Sequence, residues 1–175
     1  MEKVVFGPSL EGLWRAMDPL TAAEVQAFKA AGVLDGRFDV AYPLAPYLKI
    51  LEACATSRFA HLKEQDAYEQ VGRLFVDGFS RTVIGQALMG ITRLLGPRRT
   101  MHRLTRNFRA ANNYTEITLT TLQDNHHRIS VNFVEQPGFY IGVIERTLDH
   151  AGAKDPQVTM LEYVDRSPTF EVRWR

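Results

Sequence analysis

The strongest chemical signal in the sequence is a run of arginines with no acidic residue among them. Residues 78–115 carry seven arginines and no Asp or Glu, a net charge of +7, whereas the segments before and after each carry −3. Arg99, Arg103 and Arg106 are four and three residues apart, which places them on one face of a helix. Because guanidinium groups bind phosphate and carboxylate bidentately, this spacing predicts an anion-binding face. The candidate residues are Arg98, Arg99, Arg103, Arg106 and Arg109.

Two interpretations of these arginines are open on the sequence alone. In the first, they form structural ion pairs with acidic residues of the two negatively charged segments. In the second, they bind a phosphate-bearing ligand or an acidic partner protein. Nucleic acid fits less well, because the whole chain has a net charge of only +1 and the arginines come without a recognition motif.

The other residue types that do chemistry give no pattern of a catalytic or metal site. His126 and His127 are the only adjacent histidines, and neighbouring strand residues point to opposite faces, so we expect solvated turn histidines rather than metal ligands. Cys54, the only cysteine, falls in an apolar helical stripe and is expected to be buried. Neither Gly-x-Ser-x-Gly nor a glycine-rich phosphate loop is present, and the carboxylates are scattered. We therefore assign no catalytic residue, metal or cofactor, with an unrecognised enzyme left as an alternative.

The first two thirds of the chain have the periodicity of helices. Thr21 and Glu24 have the spacing of a capping box, in which each side chain bonds an unpaired N–H at the helix start. Five helices are predicted. The first spans 10–17 with Ser9 as its cap, the second begins at the capping box, and the third carries an apolar stripe over 47–55. A long buried helix, broken or closely packed at its glycines, spans 66–95, and an arginine-rich helix spans 98–111.

The last third changes to the two-residue period of strands. Residues 114–134 predict a hairpin turning at Asp124–His126, with Ile129, Val131 and Phe133 facing the helices. A helix after Pro137 and two more strands, joined by a turn at Ser167-Pro168, complete the order. The fold class is therefore α+β: helices over 1–113, then an antiparallel four-stranded sheet over 114–175 in β-β-α-β-β order, in one domain of 175 residues.

Bulk properties set the expected compartment and assembly. The N-terminus lacks the apolar stretch of a signal peptide, and no apolar run approaches the roughly 18 residues of a membrane span, so we expect a cytoplasmic protein. The apolar helices at 47–55 and 66–95 exceed what one small sheet covers. A homodimer is the commonest solution for such a surplus, and we expect one here.

Nearly the whole chain carries a set of short motifs. They are Val5-Phe6-Gly7, Leu10-Glu11-Gly12-Leu13, Ala41-Tyr42-Pro43, Gly72-Arg73, Phe79, Gly85, Leu95-Gly96-Pro97-Arg98-Arg99, Phe108-Arg109, Pro137-Gly138-Phe139-Tyr140-Ile141-Gly142 and Phe170-x-Val172-x-Trp174. Together they resemble an uncharacterised family of single-domain proteins that is expanded in the myxobacteria. This resemblance implies no established activity.

The order of elements is similar to the ligand-binding fold of nitric-oxide signalling and Golgi transport, shared by haem-nitric-oxide sensors, 4-vinyl-reductase-like domains and vesicle-tethering subunits. This resemblance implies a helix-mediated dimer that binds haem, a small hydrophobic molecule or an acyl chain. The Tyr-x-Ser-x-Arg motif of the haem sensors is missing, and one cysteine is too few for a cysteine-ligated metal. Our first hypothesis is a non-enzymatic sensory module that binds a small or lipidic ligand and acts by dimerising. The alternative is an adaptor that docks an acidic partner or a phosphate-bearing ligand through the arginine face.

Overall fold

A helical section precedes a section built on a sheet. The computed structural model describes residues 2–175. The helical section consists of β1 Val4–Phe6, α1 Gly7–Met17, α2 Ala22–Ala30, β2 Ala41–Pro43, α3 Leu44–Arg58, α4 Glu64–Phe79, α5 Val83–Met101 and α6 Leu104–Arg109. The sheet section consists of β3 Ile117–Gln123, β4 His126–Val131, α7 Pro137–His150, β5 Gln157–Val164 and β6 Ser167–Arg173. The predicted α+β class with its β-β-α-β-β order is confirmed.

The four strands β3–β6 form an antiparallel sheet in the order β3-β4-β6-β5. Its inner face buries Ile129 and Val131 of β4 with Phe170 and Val172 of β6, as the period-two pattern requires. The predicted hairpin is confirmed, with Ile117 opposite Val131. Phe133 lies beyond β4, half-buried. The turn before β6 is at Asp165–Arg166, both with positive φ, and not at Ser167-Pro168, which belongs to the strand.

Helices α4 and α7 are the centre of the molecule. Helix α7 packs along α4 on one side and contacts β5 on the other, and is buried along most of its length. The two helix backbones touch at Gly72, where a Cβ would overlap the carbonyl oxygen of Phe139. On another side of α4, a Cβ at Gly78 would overlap the carbonyl oxygen of Gly12 in α1. The buried side chains of both sections form one hydrophobic cluster; the number of domains stays a prediction.

The N-terminal helices follow the prediction with two corrections. The capping box is confirmed: the Glu24 N–H donates to Thr21 Oγ1, and the Thr21 N–H donates to Glu24 Oε2. Ser9 does not cap α1; it lies inside the helix, buried, and its hydroxyl donates to the carbonyl of Ala111 at 3.1 Å. The three-residue strands β1 and β2, which pair antiparallel with Val5 opposite Tyr42, were missed.

Glu24 joins α2 to α3 through a buried ion pair. Its Oε1 accepts from Nε of Arg58 at 2.6 Å and from the Ser57 hydroxyl at 3.1 Å. Burial alone would raise the pKa of Glu24, but the hydrogen bonds from Arg58 and Thr21 outweigh it and lower this pKa. The carboxylate therefore stays charged in a fully buried position.

The long helix predicted over 66–95 is two helices. They separate at Ser80–Thr82, and the Thr82 hydroxyl accepts the Gly85 N–H to cap α5. The apolar residues of α4 are buried, as expected for a central helix. On α5 the expectation of burial is wrong: Gly85, Met89 and Thr92 face inward, whereas Val83 and Leu94 are 86% and 87% exposed.

The structure removes part of the exposed apolar surface on which the expectation of a dimer was based. The stripe over 47–55 is covered within the chain: Tyr47, Ile50, Leu51, Cys54 and Ala55 are all buried. The surplus apolar surface that motivated the dimer is thereby reduced to α5. Dimerisation itself stays a prediction.

Among residues 2–175, no helix is both long enough and apolar enough to cross a membrane.

Replacing Gly72 by alanine tests the close contact of α4 with α7. The added methyl group would force the two backbones apart, and we expect a loss of about 2 kcal/mol or more in unfolding free energy, the range of overpacked cores. Gly90 on α5 is the matched control, because nothing lies within 4 Å of its Cβ position. Gly90→Ala should raise stability by about 0.5–1 kcal/mol. Equal effects of the two substitutions in urea unfolding would contradict this packing.

Candidate functional site

The best-enclosed site is a cavity of about 40 Å³ between the helical section and the start of α7. We call it the tyrosine cavity, because Tyr47 of α3, Tyr114 before β3 and Tyr140 of α7 line it. Each comes from a different element, and the walls between them are aromatic and aliphatic. The other wall residues include Leu44, Leu48, Leu51, Phe75, Phe108, Phe133 and Phe139.

The three phenols are neutral hydrogen-bond donors in this setting. Burial raises the pKa of Tyr140 to about 12, and burial with the neighbouring Tyr140 raises that of Tyr47 well above 10. The pKa of Tyr114 is raised by burial and by Tyr140 and Tyr47. The Tyr140 hydroxyl lies 2.9 Å from Thr115 Oγ1. The Tyr47 hydroxyl takes part in none of the hydrogen bonds found among residues 2–175, although the cavity contacts its side chain.

The polar rim of the tyrosine cavity is fixed by local hydrogen bonds. Asn112 Oδ1 accepts the N–H groups of Tyr114 and Thr115, which turns the chain from α6 into β3. Glu135 sits at the rim and pairs with Arg166 at 2.9 Å. Because the lining residues include no histidine, cysteine or lysine, the site has the means to bind and orient a small molecule but no nucleophile with an adjacent base.

A second cavity of about 40 Å³ lies beneath α5. Its lining is almost wholly apolar, with Leu88 and Met89 of α5 on one side and Val143 and Ile144 of α7 on another. Phe75, Phe108 and Ala111 line both cavities, so the rings of Phe75 and Phe108 separate them. Phe108 also stacks on Tyr140, with ring centroids 5.0 Å apart.

The arginine face does not form as predicted. The chain kinks at Gly96, where φ is +74°, and the helix ends at Met101, so Arg103 precedes α6 with φ −110° instead of lying inside one continuous helix. Arg99, Arg103 and Arg106 therefore share no single helical stripe. Arg99 and Arg106 are exposed, and Arg103 is half-buried with its Nε unbonded.

The structural interpretation of the arginines holds for part of the set. Arg98 pairs with Asp124 at 3.0 Å and Arg109 with Glu116 at 2.8 Å, which is the structural interpretation. Among residues 2–175, no carboxylate lies within 4.0 Å of the guanidinium groups of the other three. Ion pairing thus leaves Arg99, Arg103 and Arg106 available to an external anion.

The histidines of the β3–β4 turn are not solvated, contrary to the prediction. His126 Nε2 lies 2.9 Å from a Glu171 oxygen, and His127 is fully buried, stacked on Trp174 with ring centroids 5.1 Å apart. His127 Nδ1 has no hydrogen-bond partner. Burial lowers the pKa of His127, and the charges of His102 and Arg98 act in the same direction.

Cys54 is buried, as predicted, among the apolar residues of α3. Burial, together with the negative charge of Glu24, raises its pKa to about 12. The thiol is therefore protonated at neutral pH and packs as a small apolar group.

The sequence did not single out the tyrosine cavity. Tyr47 was assigned to the apolar stripe of α3, and Tyr114 only marked the change from helix to strand. Buried aromatics at helical spacing look the same whether they fill a core or line a cavity, so the sequence held no signal that distinguishes the two.

The buried His127 makes stability depend on pH. Its folded-state pKa lies below the unfolded value of about 6.5, so stability is fully present above pH 6.5 and declines as pH falls through that value, because the unfolded chain binds the proton better. His127→Phe keeps a ring against Trp174 and should flatten this decline between about pH 7 and 5.5. His61→Phe, at an exposed position, should leave it unchanged. Parallel curves for wild type and His127→Phe in urea unfolding would contradict the assignment.

Solved structures share this fold. An Fe(II) unliganded H-NOX protein from K. algicida superimposes with a TM-score of 0.63 at 11% identity, over 96% of this chain and 95% of that one. An H-NOX protein from S. oneidensis in the Fe(II)NO state gives a TM-score of 0.62 at 11% identity, over 95% of this chain and 96% of that one. At this identity the likeness shows the fold alone. A search of the curated proteins found no match.

The interior of this chain does not fit the haem that such a fold suggests. A cavity of about 40 Å³ is far below the roughly 300–1,000 Å³ of ordinary ligand pockets. Neither cavity is lined by a histidine or a cysteine, and the raised pKa values of the tyrosines disfavour tyrosinate ligation. His102 is exposed and lines neither cavity.

We expect the purified protein to lack haem. After reconstitution with hemin, the wild type should show no stronger Soret band than the His102→Ala variant treated in the same way, because the two cavities offer no axial ligand. Elemental analysis should likewise find no stoichiometric transition metal. A Soret band that survives gel filtration and disappears in His102→Ala would contradict this expectation.

The family model described as "Protein of unknown function (DUF2378)" matches residues 3–175, nearly the whole chain. The match covers every element that builds the tyrosine cavity and the arginine segment. This chain belongs to that family.

Proposed function

We propose that the chain is a non-enzymatic sensory module that binds a small ligand in the tyrosine cavity. The observation that supports this proposal best is the Tyr47 hydroxyl, which makes no hydrogen bond within residues 2–175 although its side chain is buried and lines the tyrosine cavity. A ligand that accepts from this hydroxyl gains a hydrogen bond, worth about 0.5–1.5 kcal/mol.

The lining of the tyrosine cavity favours a neutral, mainly apolar ligand with a hydrogen-bond acceptor. Its phenols donate, most of its other walls are aromatic or aliphatic, and its one carboxylate, Glu135, is already paired at the rim. The present volume suits only a few heavy atoms. A longer, lipidic ligand would have to rotate Phe75 or Phe108, which joins the tyrosine cavity to the apolar cavity beneath α5.

This shared wall is the proposed route from ligand to output. Phe108 belongs to the short helix α6, and the second cavity touches Leu88 and Met89 of α5. Displacement of Phe108 would therefore change the packing of both α6 and α5. The output we propose is docking through the outward face of α5, with the homodimer expected from the sequence as the alternative.

An adaptor function is the second candidate. The observation that favours it is that Arg99, Arg103 and Arg106 form no ion pair, so an acidic protein or a phosphate-bearing ligand would meet free guanidinium groups. An adaptor needs no ligand in the tyrosine cavity, which is how the two candidates differ. An enzyme is the least supported alternative, because the lining holds no nucleophile beside a free base: the Ser9 hydroxyl donates to the carbonyl of Ala111, and Glu135 is paired with Arg166.

Native mass spectrometry of the protein purified from its own cells tests the sensory proposal. We expect a bound mass in the wild type and about a tenfold lower affinity in Tyr47→Phe, the loss of one hydrogen bond. Tyr68→Phe is the matched control, because Tyr68 is also buried but lines neither cavity. A wild type that carries no bound mass, or a Tyr47→Phe variant that retains it fully, would contradict the proposal.

A further inference from the structure

The outward face of α5 is apolar. Val83 and Leu94 are 86% and 87% exposed, and Ile84 and Ile91 are 47% and 42% exposed. With the exposed Ala87, these residues recur at three- and four-residue steps and form one stripe along the helix. We call it the α5 stripe. A helix on the surface of a soluble protein ordinarily turns such a stripe toward the core, so this one is built for contact with something outside the chain.

Most arginines in the segment that contains the α5 stripe lack an acidic partner. Of the seven arginines in residues 78–115, only Arg98 and Arg109 lie within 4.0 Å of a carboxylate. Outside that segment, seven of the nine arginines have such a partner. The difference is local: the chain elsewhere pairs most of its arginines with carboxylates, and the unpaired arginines of this segment lie on α5 or within a few residues of its ends.

We propose that the α5 stripe and the arginines beside it form a surface that docks on an anionic lipid bilayer. Aliphatic residues on one face of a helix, with arginines around them, are the composition of helices that lie in the membrane interface. The aliphatic side chains enter the acyl boundary, and the arginines reach the lipid phosphates, which guanidinium groups bind bidentately.

Charge argues against a second copy of this chain as the occupant. Neither α5 nor α6 carries an acidic residue, so two copies placed face to face would bring free arginines together without a counter-charge. An anionic bilayer supplies both things that this face lacks, an apolar phase and fixed negative charge. An acidic protein would supply the charge and is an outcome of the test below.

The geometry suits a helix lying on the membrane. The straight part of α5, residues 83–95, is about 20 Å long at 1.5 Å per residue, too short to span a bilayer core of about 30 Å. The kink at Gly96 ends the apolar stretch, and Arg98 and Arg99 follow immediately. Arg93 flanks the stripe, where its aliphatic stem can lie along the surface with its charge among the headgroups. None of this depends on a ligand in the tyrosine cavity.

Vesicle sedimentation tests the proposal with two matched pairs of variants. The full chain is mixed with vesicles of phosphatidylcholine alone or of phosphatidylcholine with phosphatidylserine. We expect wild-type binding only to the phosphatidylserine vesicles, weakened by added salt. Arg99→Gln with Arg106→Gln should weaken binding about 25-fold, at roughly fivefold per arginine. Val83→Ser with Leu94→Ser should weaken it about tenfold or more.

The controls remove equivalent groups elsewhere. Arg37→Gln with Arg128→Gln deletes two exposed arginines that also lack an ion pair, and Leu161→Ser with Val164→Ser deletes two exposed aliphatics of β5. Both should bind like the wild type, and all four variants should melt like it, because every altered side chain is exposed.

Three results would overturn the proposal. One is no binding of the wild type to phosphatidylserine vesicles, which would leave an acidic protein as the occupant. Another is an equal loss in the control pairs. The third is a wild type that is a dimer in light scattering and does not bind vesicles, and whose dimer is dissociated by Val83→Ser with Leu94→Ser. That result would assign the α5 stripe to a second copy.

Discussion

The packing of α4 between α1 and α7 is the constraint on which the rest of the structure depends. At Gly72 and Gly78 the backbones approach so closely that no side chain fits between them. Their spacing is thus set by main-chain contact, which does not repack as side chains do. Phe75 lies on the same helix between these two contacts, so the wall shared by the two cavities stands on a helix whose position is set by its main chain. Glu24 and Arg58 fix α2 to α3 by a different means, a buried charge pair whose loss would leave one charge unpaired.

The tyrosine cavity and the α5 stripe have opposite physical characters but a common boundary. The cavity is largely enclosed, mainly apolar and held by the packed helices, whereas α5 has few contacts with the remainder of the chain and exposes Val83 and Leu94. Loosely packed elements open at lower free energy than the core does. A ligand that moves Phe108 therefore acts on the part of the structure that yields most easily, which is what a sensory module requires of its output.

The sequence was sufficient where local chemistry decides the structure. The alternation around Ile129 and the capping box at Thr21 depend on neighbouring residues, and both were predicted. The sequence was insufficient where several local conformations are equally favourable and tertiary packing selects one of them. Periodicity shows that α5 has an apolar face, but only the packed structure shows that Gly85, Met89 and Thr92 point inward instead. The three-residue strands β1 and β2 are too short for a periodic signal. The single helical stripe predicted for Arg99, Arg103 and Arg106 is wrong because the chain leaves helical geometry at Arg103, where no proline or glycine marks a break.

The ion pair of Arg98 with Asp124 is the contact between the end of α5 and the turn of the β3–β4 hairpin. Both side chains are largely exposed, at 58% and 80%, and such pairs contribute only about 0–1 kcal/mol. An external anion that approaches Arg98 can therefore displace Asp124 from the ion pair at little cost in free energy. The backbone carbonyl of Asp124 lies 3.3 Å from His127 Nε2, and the charge of Arg98 is one of the causes that lower the pKa of His127. An anion that neutralises Arg98 therefore removes part of the electrostatic penalty for protonating a ring in the interior.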